Sequence, residues 1–338
     1  MAEKKALSSK VIPWKVRISL SFLRGLTDFS RRSDGTVNRR LMNLFESAVK
    51  VPPQSGKGIA VSDITIDSTR NLWFRLFHPT DVSDDLKLPV LVFFHGGGFT
   101  WFSPDVKPYD AMCRQFAQRI PAIVVSVNYR LTPEYHFPAQ YDDGFDTLKF
   151  LDQKFFDSFP TNANLSQCFL AGDSAGGNIA HHVARRFAEA EREFSNIKVV
   201  GLIAIQPYFG GEERTDSEIQ LKGVPLISVE RSDWHWKVFV PEGANRDHEA
   251  VNIFGPKSDD ISGLKNFPST LVFVGGSDPL KDWQKCYFHG LKRSGKEAQL
   301  IEYPNAFHAF YIFPEIPEAS LLLTEVTVFI NNNGGTTK

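Results

Sequence analysis

The chain has 338 residues, is 42% hydrophobic and 23% charged, and sets 38 Lys and Arg against 39 Asp and Glu for a formal net charge of −1. That length suits two average domains or one large α/β domain with insertions, and the composition excludes disordered and fibrous classes. The even charge balance offers no footprint for nucleic acid or an anionic membrane, and no apolar run reaches the length of about eighteen residues needed to cross a bilayer.

Cys113, Cys168 and Cys286 are odd in number and widely spaced. This argues against a disulfide framework and a cysteine-based metal site, so reduced, buried thiols are expected. Lys15, Arg17 and Arg24 break the apolar residues near the N-terminus. A secretory pattern is therefore missing, and the cytosol is the expected compartment.

In chain order, Val11, Trp14, Ile18, Phe22, Leu26 and Phe29 recur at steps of three or four. They predict an amphipathic helix whose apolar stripe covers another part of the protein. Arg31, Arg32, Arg39 and Arg40 flank Ser33-Asp34-Gly35 and read as a solvated turn and helix start. Residues 59–66 and 71–77 carry mixed alternation suited to edge strands. Residues 90–94, 122–127, 168–171, 199–205, 270–274 and 299–302 are short, mostly apolar runs, as strands buried on both faces require. Between the third and fourth of these, Ile179, Ala180, Val183, Ala184 and Phe187 keep helical spacing, predicting a crossover helix over a parallel sheet. Residues 206–250 scatter Phe209, Trp234, Trp236 and Phe239 among Gly, Pro and charge without a strand pattern. They are assigned, with about residues 1–45, to a cap on a single domain spanning residues 1–338. The polar tail 331–338 is expected to fray.

Gly172-Asp173-Ser174-Ala175-Gly176 follows an apolar strand and opens the crossover helix. A tight strand-to-helix turn leaves no room for side chains at the two glycines, and lifts the serine oxygen clear at the helix N-terminus. His95-Gly96-Gly97-Gly98-Phe99 follows an earlier strand. Its bare backbone can present N–H donors to an oxyanion, and Gly97, Gly98 and Ala175 are the candidate donors. A flexible turn or a phosphate cradle is the alternative, but no Lys-Ser/Thr pair follows the glycines.

A serine hydroxyl needs a base, and the base needs a carboxylate to fix its tautomer. His308 lies just past the last apolar strand and Asp278 just past the one before. The order Ser174, Asp278, His308 is the one expected of α/β-hydrolases, and all follow the carboxyl ends of strands, where open α/β sheets build their sites. Asp282 is the rival carboxylate. His181 and His182 read as surface or helix-packing residues, and His95 and Asp173 as loop holders. Glu134, Asp142 and Asp143 read as structural ion-pair partners, and no clustered ligand set supports a metal.

With His-Gly-Gly-Gly-Phe at 95–99, Gly-Asp-Ser-Ala-Gly-Gly at 172–177, Asp278-Pro279-Leu280 and the late His308, the chain resembles the hormone-sensitive-lipase-like plant carboxylesterases. Arg32-Ser33-Asp34-Gly35-Thr36, the stretch 209–215 and Arg246-Asp247-His248 resemble the branch that also contains the gibberellin receptors. The resemblance implies an α/β-hydrolase fold with a mostly parallel eight-stranded sheet and a lid. It implies an esterase that needs no cofactor and acts on a small-molecule ester. Receptors of that branch have lost the histidine and carry Ser where this chain has Gly98. By analogy with their pocket, Tyr109, Gly98, Arg246 and Tyr311 are candidates for substrate contact. A receptor-like protein that binds a hydrophobic hormone and a protein partner, or slowly hydrolyses a signalling lactone or ester, remains the alternative, and it leaves the nucleus open as a second compartment.

Overall fold

Most of the apolar runs pair into one sheet because they can bury both of their faces; the last, expected to be buried on both faces, forms the far edge over Ala298–Tyr303 and stays largely half-exposed or exposed. The computed structural model describes residues 12–83, 85–153, 159–224 and 226–334. Helices α1 (Trp14–Ser30) and α2 (Arg39–Val49) precede the hairpin β1 (Ile59–Asp67) and β2 (Leu72–Pro79). There follow β3 (Leu88–Phe94), α3 (Lys107–Arg119), β4 (Ile123–Asn128), α4 (Ala139–Gln153), β5 (Ala163–Asp173), α5 (Ala175–Glu189) and β6 (Val199–Ile205). Past β6 come α6 (Asp216–Gln220) and α7 (Val229–Phe239), then β7 (Ser269–Gly275), α8 (Lys281–Arg293), β8 (Ala298–Tyr303) and α9 (Pro317–Asn333).

The strand order is β1-β2-β4-β3-β5-β6-β7-β8. β2 pairs antiparallel with β1 and β4, and every pair from β4 to β8 is parallel. Only β1 of the first hairpin is an edge strand. β2, expected at an edge, lies inside because β1 covers its outer side. Side chains alternate across the sheet. Val90, Val92 and Phe94 join the core beneath α4 and α5, whereas Leu91 and Phe93 join the core beneath α3 and α9. The crossover residues Ile179, Ala180, Val183, Ala184 and Phe187 are all buried on the first of these faces.

Further expectations are corrected. Most of the stripe of α1 does not face inward: Trp14, Ile18, Phe22 and Phe29 are 59–79% exposed, Leu26 alone among its described members is half-buried against the Val37, Met42 and Trp101 cluster, and Val16, Leu20 and Thr27 are buried. Two residues on is about 200° around a helix, so the covered side is the opposite, smaller-residue face. Val11 lies outside the described residues. Cys113 and Cys168 are buried, but Cys286 is exposed, being carried on the outer side of α8. The expected fraying from 331 starts too early, since α9 runs to Asn333, and 335–338 lie outside the described residues.

The excursion between β6 and β7 is helical and meets the N-terminal segment. Arg231 of α7 pairs with Asp28 and donates to Thr27 Oγ1 at 2.6 Å. Trp234 Nε1 donates to the Arg32 carbonyl at 3.2 Å, and the Arg31 guanidinium stands 5.5 Å over the Trp234 ring. Arg31 is therefore a packed residue rather than a solvated one. The first eleven residues of the expected cap lie outside the described residues.

Candidate active site

Strand β5 ends at Asp173 and α5 begins at Ala175, leaving Ser174 alone in the turn with φ 52° and ψ −118°. Such backbone costs of order 1–3 kcal/mol and persists only where its neighbours enforce it. The neighbours here are close. A Cβ on Gly172 would come within 2.2 Å of the Gly176 carbonyl oxygen, and one on Gly176 within 1.9 Å of the Phe94 carbonyl oxygen. Both positions must be glycine for β5, α5 and the end of β3 to approach as they do. The same closeness sets residues 95–98 directly beside the serine turn.

Ser174, Asp278 and His308 come together. His308 Nε2 is 3.0 Å from Ser174 Oγ, and His308 Nδ1 donates to Asp278 Oδ2 at 2.7 Å. Asp278 is fully buried and also accepts from Gln206 Nε2 at 3.0 Å, Gln284 Nε2 at 2.8 Å and the Leu280 N–H at 2.9 Å. Those donors satisfy its lone pairs and fix its plane, which fixes the imidazole in turn. The rival Asp282 instead accepts from the Ser217 N–H at 2.7 Å.

Sequence reading missed the two glutamines. Gln206 also donates to the Phe307 carbonyl and accepts from the Ala309 N–H at 2.9 Å, clasping the loop that carries His308 on both sides. Its position was the available signal: a polar residue immediately past Ile205, at the carboxyl end of β6. Gln284 lies inside α8, and its inward direction carries no sequence mark.

Ala175 is the first residue of α5, where N–H groups have no intrahelical acceptor. Gly97 and Gly98 lie in the loop after β3, whose Gly96 N–H donates to Asp173 Oδ1 at 2.8 Å. The other Asp173 oxygen accepts the hydroxyls of Tyr109 at 3.0 Å and Tyr311 at 2.8 Å. Burial pushes the Asp173 carboxyl up to about 6, and these three donors pull it back. The candidate contact residues Tyr109 and Tyr311 thus point their polar ends at protein. Arg246 does likewise, pairing with Asp233 of α7 and Glu212 inside the excursion.

The remaining residues follow their structural readings. His95 Nδ1 bonds the Gly96 carbonyl at 2.8 Å and its ring stacks on Tyr129, with burial drawing its pKa down to about 4. His181 and His182 are buried packing residues, not surface ones, and burial lowers both pKa values. Glu134, Asp142 and Asp143 pair with Arg39, Arg186 and Arg130. Another unforeseen residue is His235 of α7. It is packed so tightly over Gly98 that an added Cβ there would lie 2.5 Å from the ring. Helix α7 thereby touches the candidate oxyanion loop.

An eight-stranded sheet of this connectivity, with a strained serine on a strand-to-helix turn and the order Ser, Asp, His, defines an α/β-hydrolase architecture. A family described as "alpha/beta hydrolase fold" matches residues 91–312, and the chain belongs to it. A gibberellin receptor of Arabidopsis thaliana is 38% identical, with 96% of each chain covered. Carboxylesterase 20 of the same plant is 35% identical over 78% of this chain and 83% of its own. The solved esterase of Pyrobaculum calidifontis is 26% identical, covers 92% of this chain and 97% of its own, and has a TM-score of 0.72.

Proposed function

We propose that the protein is a carboxylesterase that hydrolyses small to medium carboxylic esters through an acyl-enzyme. The observation that carries this reading is the unbroken relay from Ser174 Oγ through His308 to Asp278, at 3.0 and 2.7 Å. His308 takes the serine proton as Ser174 attacks the ester carbonyl, then returns it to the leaving alcohol. Water, deprotonated by the same nitrogen, next attacks the acyl-serine and releases the acid. Asp278 holds the tautomer and stabilises the imidazolium. The N–H groups of Gly97, Gly98 and Ala175 meet the oxygen that becomes negative in each tetrahedral intermediate, which is where preorganised donors act most strongly. Carboxylesterase and esterase relatives support the reaction class. α1, α2 and the 206–250 excursion serve as the lid over this centre.

The test is turnover of aryl esters of increasing acyl length by wild type and Ser174→Ala. Loss of turnover in the variant is expected, and the length optimum sizes the pocket. Equal rates in both proteins defeat the reading. A second reading, a receptor-like binder of a hydrophobic hormone with a protein partner, is favoured by the identity to a gibberellin receptor. Binding places no demand on a base, whereas here His308, Asp278 and three loop glycines are all in place, which favours turnover. Negligible hydrolysis of esters and lactones by wild type, with tight binding of a gibberellin-like acid, would reverse that preference.

A further inference from the structure

The loop after β3 has an unusual backbone: Gly98, Phe99 and Phe102 sit at φ 62°, 61° and 78°. For the two phenylalanines this left-handed conformation costs about 1–2 kcal/mol each, so the loop keeps its shape only while its surroundings hold it. Two of the holding groups come from α2, remote in sequence. Arg39, the first residue of that helix, donates through Nη1 to the Thr100 carbonyl at 2.6 Å and through Nη2 to the Thr132 carbonyl. Its guanidinium is fixed in turn by Glu134 at 2.8 and 2.6 Å. Farther along α2, Glu46 accepts the Phe102 N–H at 3.0 Å. Burial of Glu46 raises its pKa, as desolvation of a carboxyl does. Between the two anchors Thr100 Oγ1 donates to the Gly98 carbonyl at 2.9 Å. Restraint at Thr100 therefore reaches one of the residues assigned to the oxyanion.

We propose that Arg39 and Glu46 are positioning residues for the oxyanion loop: α2 braces the strained 98–102 backbone so that the Gly97 and Gly98 N–H groups face the reacting oxygen. This rests on the esterase reading and extends it. The N-terminal segment is then part of the catalytic scaffold as well as a cover, and turnover requires α2 to be docked. Full negative charge exists on that oxygen only in the transition state and intermediates, so loosening the brace lowers kcat and leaves KM little changed.

The experiment measures kcat and KM on an aryl ester, together with affinity for an aryl trifluoromethyl ketone, whose serine hemiketal places an oxyanion in the same hole. Wild type and Ser174→Ala run in parallel. Absence of serine-dependent turnover in wild type sinks the esterase reading itself, separately from the brace. Given that turnover, Arg39→Ala and Glu46→Ala are each expected to lose about ten- to hundredfold in kcat, to lose ketone affinity in parallel, and to keep KM within about threefold. Glu46→Gln, whose amide oxygen still accepts the Phe102 N–H, restores most of both. Arg39→Lys restores only part, since one ammonium cannot serve Thr100, Thr132 and Glu134 together. If Arg39→Ala fails to fold, the Glu46 pair of variants decides. Wild-type kcat in Glu46→Ala, a loss that Glu46→Gln does not restore, or a change confined to KM overturns the proposal.

Discussion

The carboxyl edge of the sheet and the cap above it are built on different principles. At the sheet edge, Ser174, Asp278 and His308 each sit just past a strand, and each is fixed mainly by nearby backbone or by a buried amide such as Gln206. In the cap, α1 and α7 are joined by charged side chains that meet across most of the chain, as Arg231 and Asp28 do. The edge is preorganised for chemistry, whereas the cap joins buried apolar residues such as Met42, Trp236 and Phe239 to ion pairs that water partly reaches, as at Asp28. Loss of a side chain at the edge, or of the α2 anchors that brace its loop, should therefore show in rate, and loss of an α1–α7 contact in local stability.

The largest effect is expected from His308→Ala. Members of a triad act as a unit, so ester hydrolysis should fall by on the order of a thousandfold or more, measured as kcat/KM on an aryl ester. Affinity for an apolar ligand should stay within a few fold, because the imidazole is part of the relay and not of the cap. A loss of ligand affinity matching the loss of rate would erase the contrast between the two regions.

The same contrast explains what could be read from sequence. The inner parallel strands were legible because burial on both faces leaves continuous apolar runs, and the first hairpin because its residues alternate. The elbow was legible because Gly172 and Gly176 answer to backbone within 2.2 and 1.9 Å, a constraint local enough to leave a motif. The facing of α1 was not legible: its larger apolar side is the exposed one, and Val16 and Leu20 on the other side are ordinary residues that no pattern singles out. Arg39 and Arg31 read as solvated for a similar reason. Their partners, Thr100, Thr132 and Glu134 for one and the Trp234 ring for the other, lie far along the chain. Position within a charge cluster says nothing of such contacts.

Arg231→Met tests the cap. The Arg231 side chain is 8% exposed and its partner Asp28 36%, so the pair is screened on one side, and Asp28 keeps Arg31 when Arg231 is removed. A cost of about 1–2 kcal/mol is expected, between the values for exposed and buried pairs. Faster hydrogen exchange across residues 14–30, with kcat within about twofold, is the expected result. Global destabilisation with unchanged exchange in α1 would show that the cap is not a separable layer.

A smaller change is expected from Tyr311→Phe at the seam between the regions. Asp173, pushed up to about 6 by burial, faces Tyr311, Tyr109, the Gly96 N–H and the charge of His308. All of these favour the carboxylate. Removing one donor raises the Asp173 pKa further, so protonation sets in at higher pH. A protonated carboxyl donates its O–H to the Tyr109 hydroxyl oxygen, and the Gly96 N–H on the other oxygen then loses its charged acceptor and is held less firmly. The acid limb of kcat/KM should accordingly move to higher pH, while the rate at pH 8 stays near wild type. An unmoved limb would assign Asp173 a purely steric part.

The smallest effect is expected on the outer face of α1. Phe29 is 79% exposed and lies near the end of the helix, so Phe29→Ser gives up little buried area, and Phe and Ser have similar helix propensity. Stability should change by less than about 0.5 kcal/mol, as for surface substitutions away from special features, read as an unchanged urea midpoint. The rate should not change either, because the anchors that reach the loop after β3 come from α2, on Arg39 and Glu46. A loss above about 1 kcal/mol would mean that this face is covered in solution, since burial of a phenylalanine is worth roughly 1.5–3 kcal/mol. The outer face of α1 would then belong with the packed surfaces of the molecule rather than with the solvent-exposed ones.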